Sequence, residues 1–228
     1  MRLDLLAALS GILIAAQSRV NGGLSAALGN STEAAVYSFG SGFLVLNIIA
    51  LANPRVRQGI RRIVAGVRSG ALPAWRLSAG IMGGIFVAIQ TFTVPIIGVA
   101  LLSVVMIAGQ TLASLIVDRI GITGGGKQPI TLRRVLAAVI TITAVLVAVW
   151  EEIQVANISV LPIVIVFVGG FMIGVQRALN GQINEISEQS FSTTWLNFFM
   201  GTSTLVILLI FNTARGQDLV GLPTSPWW

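Results

Sequence analysis

Gly11-Ile12-Leu13-Ile14-Ala15-Ala16-Gln17-Ser18-Arg19-Val20-Asn21-Gly22 returns 159 residues later as Gly170-Phe171-Met172-Ile173-Gly174-Val175-Gln176-Arg177-Ala178-Leu179-Asn180-Gly181. In both copies an apolar run carries Gln and Asn four residues apart, hence on one helix face, and then Gly. The match continues without a gap. Ser31, Phe39, Gly42, Leu46, Ile48 and Asn53 meet Ser190, Phe198, Gly201, Leu205, Ile207 and Asn212. Eleven of the 43 positions from 11 to 53 are identical, where roughly three or four are expected by chance in sequences this apolar. We read a duplication. Further along, Leu72-Pro73-Ala74-Trp75 is similar to Ser225-Pro226-Trp227-Trp228.

The duplicated segments sit in a chain built for lipid. Of 228 residues, 55% are hydrophobic and 10% charged, with mean hydropathy +0.90. Soluble domains average about 45–50% apolar and about 25% charged. The balance excludes a water-soluble globule, a disordered chain and a secreted disulfide scaffold. There is no Cys and no His, so a thiolate nucleophile, the usual general base and the commonest metal ligands are all missing. No cofactor and no metal are expected.

A helix needs roughly 20 mostly apolar residues to cross a bilayer. Seven stretches qualify, at about 4–27, 34–52, 75–95, 98–118, 133–150, 159–183 and 192–211. They lack the period-2 alternation of barrel strands, so the expected fold is all-α, a polytopic bundle of membrane-spanning helices. The start, Met1-Arg2 followed by the apolar run Leu5 to Ala16, also fits a cleaved signal peptide. Because its features recur at the sixth span, we read it as a span.

Basic residues orient the bundle. Arg2, the group Arg55, Arg57, Arg61, Arg62, Arg68 and Arg76, and the group Arg119, Lys127, Arg133 and Arg134 fall on one side, with only Arg215 on the other. The positive-inside rule then puts the N-terminus in the cytoplasm and the protein in the cytoplasmic (inner) membrane. The net charge of +6 thereby reads as a topology signal, and no nucleic-acid partner is expected.

The repeating unit runs from the first span to the sixth and so contains five helices. An odd number makes the second copy enter the membrane upside down, and the charge agrees: six arginines in 53–76 against one in 212–228. The expected organisation is a first five-helix repeat, 1–152, and an inverted second repeat beginning at 153 and truncated within 153–228. We expect a fragment of a ten-helix protein; the alternative is a partner chain, in a homo- or hetero-oligomer, that supplies the missing helices.

Polar groups in hydrocarbon are costly and face cavities or other helices. Gln17, Asn21, Gln176 and Asn180 are therefore the first candidates for binding a polar solute. The glycine after each motif is expected to loosen the helix and free backbone groups toward a cavity; interhelical hydrogen bonding is the alternative use. Ser38 and Asn197, equivalent in the repeat, and Gln90 and Gln110 complete the polar set. Arg19 is a candidate counter-ion for an anionic solute, while Arg19 and Arg177 also have the option of reaching toward headgroups. No Asp or Glu falls mid-span, with Glu33, Glu151 and Glu152 outside and Asp118 at a helix end, so a buried-carboxylate proton relay is not expected.

Other motifs read as structural. Gly121 to Gln128 imitates a phosphate loop but ends in Gln128 where Ser or Thr should stand, and is expected to be a loop. Gly80/Gly84 and Gly170/Gly174 are spaced for close helix packing, with Gly11 and Ala15 at the matching places of the first copy. Trp75, Trp150, Trp227 and Trp228 fall at expected interfaces.

The fourth span, Ile107-Ala108-Gly109-Gln110-Thr111-Leu112-Ala113-Ser114-Leu115-Ile116-Val117-Asp118-Arg119-Ile120-Gly121, resembles the Ala-Gly-Gln…Ala-Ser…Asp segment of YdcZ-like proteins. So do Gln17-x-x-x-Asn21-Gly22, Ser38-Phe39-x-x-Gly42 and Arg133-Arg134 at the start of the fifth span. This family belongs to the EamA-related drug/metabolite transporter superfamily. The resemblance covers the whole chain and implies a 5 + 5 inverted repeat that exports small metabolites or drugs, with no site residues to carry over. Helices eight to ten of that pattern are missing from this sequence.

The sequence is thus read as a secondary transporter in the lipid bilayer that moves a small-molecule solute by alternating access. A non-transporting scaffold, or half of a two-chain transporter, is the alternative. An intramembrane enzyme is not expected, because the spans hold no acid cluster, nucleophile–base pair or metal set.

Overall fold

The computed structural model describes residues 2–122, 126–156 and 159–224. The Gly124-Gly125 pair, the Ser225–Trp228 tail with both its tryptophans, and the side chains of Arg2, Glu151 and Glu152 lie outside the described residues. The expected polytopic helical bundle is found. Its helices are α1 (Arg2–Leu28), α2 (Ser31–Ala52), α3 (Pro54–Arg68), α4 (Ser78–Ile120), α5 (Leu132–Ala156), α6 (Val160–Ser187) and α7 (Ser190–Ala214). Five of them, α1, α2, α4, α6 and α7, are long and apolar enough to cross a membrane.

Two expected spans have fused into α4, which breaks at Gly98 (φ 73°, ψ 168°). That backbone conformation suits only glycine. Pro95, three residues earlier, removes a helical N–H and crowds the preceding turn. The limbs 78–97 and 99–120 then fold back on each other. Phe86, Val87 and Met106 share one apolar cluster, and Gln90 and Gln110 line one cavity, whereas twenty residues of straight helix would separate the glutamines by about 30 Å. α4 is therefore two crossings. α5 holds sixteen uncharged residues, 135–150, between Arg134 and Glu151, at the position of the fifth expected span.

The segment between the second and third expected spans is a helix rather than a loop. Asn53 closes α2 through its N–H to Ile49 O (2.9 Å) and opens α3 by accepting Arg55 N–H (2.9 Å), with Pro54 in the first turn, where it costs no hydrogen bond. Val56, Gly59, Ile63 and Gly66 form the buried face of α3; its arginines point elsewhere. Gly59 sits on Ser192 and Gln189, Gly66 on Ile186, so α3 lies across the junction of α6 and α7.

Close packing runs through glycine. A Cβ on Gly84 would come 2.7 Å from Gly201 O of α7, and one on Gly80 2.5 Å from Met200 Cβ. Between α4 and α6, a Cβ on Gly109 would come 2.7 Å from Phe171 N, and one on Gly170 2.9 Å from Met106 Cα. The expected tight contacts at Gly80/Gly84 and Gly170/Gly174 are present. Gly11 differs: nothing approaches its Cβ position within 4 Å, because among the described residues no helix covers that face of α1. Gly22 does not loosen α1, which continues to Leu28. It lets Val94 of α4 press against the α1 backbone. Gly181 likewise lies inside unbroken α6.

α2 and α7 cross antiparallel. Along α2, Thr32, Phe39, Gly42 and Asn47 meet in turn Asn212, Gly201, Phe198 and Trp195 of α7. The contacts are reciprocal: Phe39 lies on Gly201 and Phe198 on Gly42, residues that correspond at the offset of 159, while the two rings stack at 4.7 Å between centroids. Asn30 bonds to Asp218 O, and its counterpart Gln189 packs on Gly59, the counterpart of position 218. Contacts in which each residue exchanges places with its equivalent are the mark of a two-fold relation.

Candidate functional site

Where α1, α2, both limbs of α4, α6 and α7 converge, they line a cavity of about 220 Å³ that is open on the α1 side, where Ile14 and Gln17 are exposed. Three equivalent pairs line it: Ile14 with Ile173, Gln17 with Gln176, and Phe39 with Phe198. The rest of the wall includes Phe86, Gln90, Met106, Gln110 and Arg177. The motif glutamines thus face one space from opposite helices, and each lies one turn beyond its isoleucine, as residues sharing a helix face must.

Gln90 belongs to the wall but spends its amide on the protein. Its Nε2 donates to Ser18 Oγ (2.7 Å), Ser18 donates to Ile14 O (2.8 Å), and Asn21 Nδ2 donates to Gln90 Oε1 (3.0 Å). Ser18, Asn21 and Gln90 are all buried. This network fixes α1 to α4 and sets the height of Gln17, one turn before Asn21. Gln110 also lines the cavity, but its Nε2 is buried in the protein with no acceptor. Gly83 makes room for Gln176, whose Nε2 lies 2.7 Å from where a Cβ would be.

Four of the nine expected site residues, Gln17, Gln90, Gln110 and Gln176, therefore meet at this cavity. Asn180 and Asn197 instead bond to each other (2.9 Å), joining α6 to α7. Asn21 and Ser38 line a neighbouring cavity of about 310 Å³ with Tyr37 and Leu222. Arg19 is exposed and lines neither cavity. The basic residue at the main cavity is Arg177, which like Gln17 is exposed. Helix geometry held the signal: Arg177 follows Ile173 by four residues and shares its face, whereas Arg19 is two from Gln17 and points away.

A second group went unread in the sequence. Glu33, expected outside the membrane, is 3% exposed in the first turn of α2. Asn30 caps that helix by accepting Glu33 N–H (3.0 Å). The Glu33 carboxylate accepts Val220 N–H (3.0 Å), Gly221 N–H (2.9 Å) and the Tyr37 hydroxyl (3.2 Å). The segment 218–222 is thus strapped over the cavity that Leu222 helps to close. Asn30-x-x-Glu33 reads in sequence as a helix cap; only folding sends the carboxylate to a backbone 187 residues away. In Glu33→Ala the two amides lose their acceptor. Their hydrogen exchange should rise about tenfold or more while amides in α4 stay unchanged; unaltered protection at Val220 and Gly221 would show that the strap is held by other groups.

The model of the family described as "Putative inner membrane exporter, YdcZ" matches residues 3–147 and 161–228. The chain belongs to the YdcZ family. This YdcZ-family protein is accordingly an inner-membrane transport protein. No curated protein matches it, and no solved structure does. Among the described residues of this YdcZ-family chain there is no group of three or more Asp or Glu placed to hold a metal ion.

Proposed function

We propose that this chain exports a small polar solute by alternating access between two inverted five-helix repeats, with Gln17, Gln110 and Gln176 as its hydrogen-bonding groups at the central cavity. The observation that carries this reading is the equivalence of the facing residues. A cavity walled by matched pairs from both copies lies on the approximate two-fold axis, where transporters of this plan bind their cargo. The antiparallel α2–α7 contact supports inversion, since four crossings lie between the two helices once α4 counts twice, so that they run in opposite directions. The basic bias of the segments between spans supports a cytoplasmic placement of the N-terminus and α3.

Rocking of one copy against the other about the Phe39–Phe198 stack would expose the cavity to each side in turn. The strap at 218–222 and helix α3, which occupy corresponding places, would then cover its opposite ends. The bare face at Gly11, equivalent to the packed face at Gly170, supports the reading that a further helical pair covers α1 in the working transporter.

The test is flux of labelled small polar solutes in proteoliposomes. Each hydrogen bond lost from the site is worth about 1 kcal/mol. Gln17→Ala combined with Gln176→Ala should therefore slow transport by roughly tenfold or more, with the thermal midpoint unchanged. Undiminished flux in folded protein would take the cavity out of the pathway.

A further inference from the structure

We infer that the solute carried in the central cavity is an oxyanion, a small molecule with a carboxylate or phosphate group, and that Arg177 is its counter-ion. The inference rests on the transport reading above and adds the chemical class of the cargo. Three observations point the same way. Arg177 lines both the central cavity and an adjoining cavity of about 280 Å³ that extends along α4 to Asp118. Among the described residues Arg177 has no ion pair, and no Asp or Glu lines the central cavity. Asp118 is the one acid in the adjoining space, and its carboxylate is taken by Arg134 at the start of α5.

Hydrogen-bonding capacity agrees with the charge. Gln90 has both ends of its amide occupied within the protein. Gln110 presents a buried Nε2 without an acceptor. What the protein leaves over at this wall is therefore the Arg177 guanidinium, with up to five N–H groups, while the Gln110 N–H₂ lies unspent beneath the surface. Gln17 and Gln176 can turn either end of their amides toward a ligand, so they do not offset that excess. A guanidinium stays protonated in any protein environment, so the cavity wall carries a fixed positive charge. An oxyanion supplies the charge and the acceptors together, and a planar guanidinium binds it through two parallel bonds. The cavity, at about 220 Å³, has room for roughly seven water volumes, which fits a compact metabolite.

The test uses the full chain in nanodiscs and four probes of similar size: glutarate, its neutral diamide, 1,5-diaminopentane and glycerol 3-phosphate. Binding is followed by calorimetry at millimolar concentration. Glutarate, glycerol 3-phosphate or both should bind at least tenfold more tightly than the diamide, and the diamine should not bind. The better of the two anions tells carboxylate from phosphate. Arg177→Gln should remove that preference, weakening the anions far more than the diamide, with the unliganded thermal midpoint unchanged, and Arg177→Lys should keep part of it. Equal binding of diamide and anions, preference for the diamine, or no response to either anion overturns the inference. If the diamide binds and is lost in Gln17→Ala while Arg177→Gln changes nothing, the cavity keeps its role and only the charge assignment fails.

Discussion

Gly109→Val and Gly170→Val should each destabilise the bundle by about 3 kcal/mol or more, the largest single-site effects we expect in this protein. Overpacking a core costs typically about 1–3 kcal/mol when side chains can shift. Here the obstacle is backbone: Phe171 N at 2.7 Å from a Cβ on Gly109, and Met106 Cα at 2.9 Å from a Cβ on Gly170. Neither helix can yield locally, so α4 and α6 must separate along the seam that carries Gln110 and Gln176. The two substitutions should not add. Each glycine also lies against the other's chain, with Gly170 C at 3.1 Å from a Cβ on Gly109, and once the first valine has parted the helices the second meets less resistance. Gly11→Ala is the control. With open space around it, it should be neutral or stabilise α1 by up to about 1 kcal/mol through helix propensity. Thermal midpoints of the purified proteins decide the matter, and a Gly109→Val protein as stable as the parent would contradict this packing.

Gln90→Leu comes second, at about 2 kcal/mol, and its effect on transport should exceed its effect on stability. The substitution leaves Asn21 Nδ2 without an acceptor at a site where the asparagine is 4% exposed. A buried orphan of this kind costs about 1–3 kcal/mol. A hydrogen bond within a membrane bundle averages only about 0.6 kcal/mol, so the orphaned group is the larger part of the loss. Replacing both partners by leucine should therefore recover stability relative to Gln90→Leu alone. Flux should not recover, because Gln17 sits one turn from Asn21 and depends on the same anchor. A double-mutant cycle in thermal midpoint, run beside flux, separates the two roles. Recovery of both together would mean that the network serves folding alone.

The outline of the bundle was legible because crossing a bilayer imposes a length and a composition on each segment. The apolar runs that ended near 27, 52, 118, 183 and 211 correspond to helices ending at Leu28, Ala52, Ile120, Ser187 and Ala214. α3 was not read, since five arginines in Pro54–Arg68 depress hydropathy and mask the spacing of Val56, Gly59, Ile63 and Gly66. The fusion of two spans at Gly98 was missed for a different reason. Pro95 and Gly98 mark a break, but how sharply the chain turns there depends on what the two limbs pack against.

By itself the sequence determined which stretches enter lipid, the correspondence at an offset of 159, and the pairing of Gln17 with Gln176, because apolar length and helical spacing are properties of single segments. Tertiary structure alone decided how the amides divide their work. Gln110 buries an amide nitrogen without an acceptor, Gln90 closes a network with Ser18 and Asn21, and Asn180 turns to Asn197. Those choices depend on contacts of about 3 Å between helices as far as 72 residues apart along the chain, and a hydrogen bond is too short-ranged to be encoded by either helix alone.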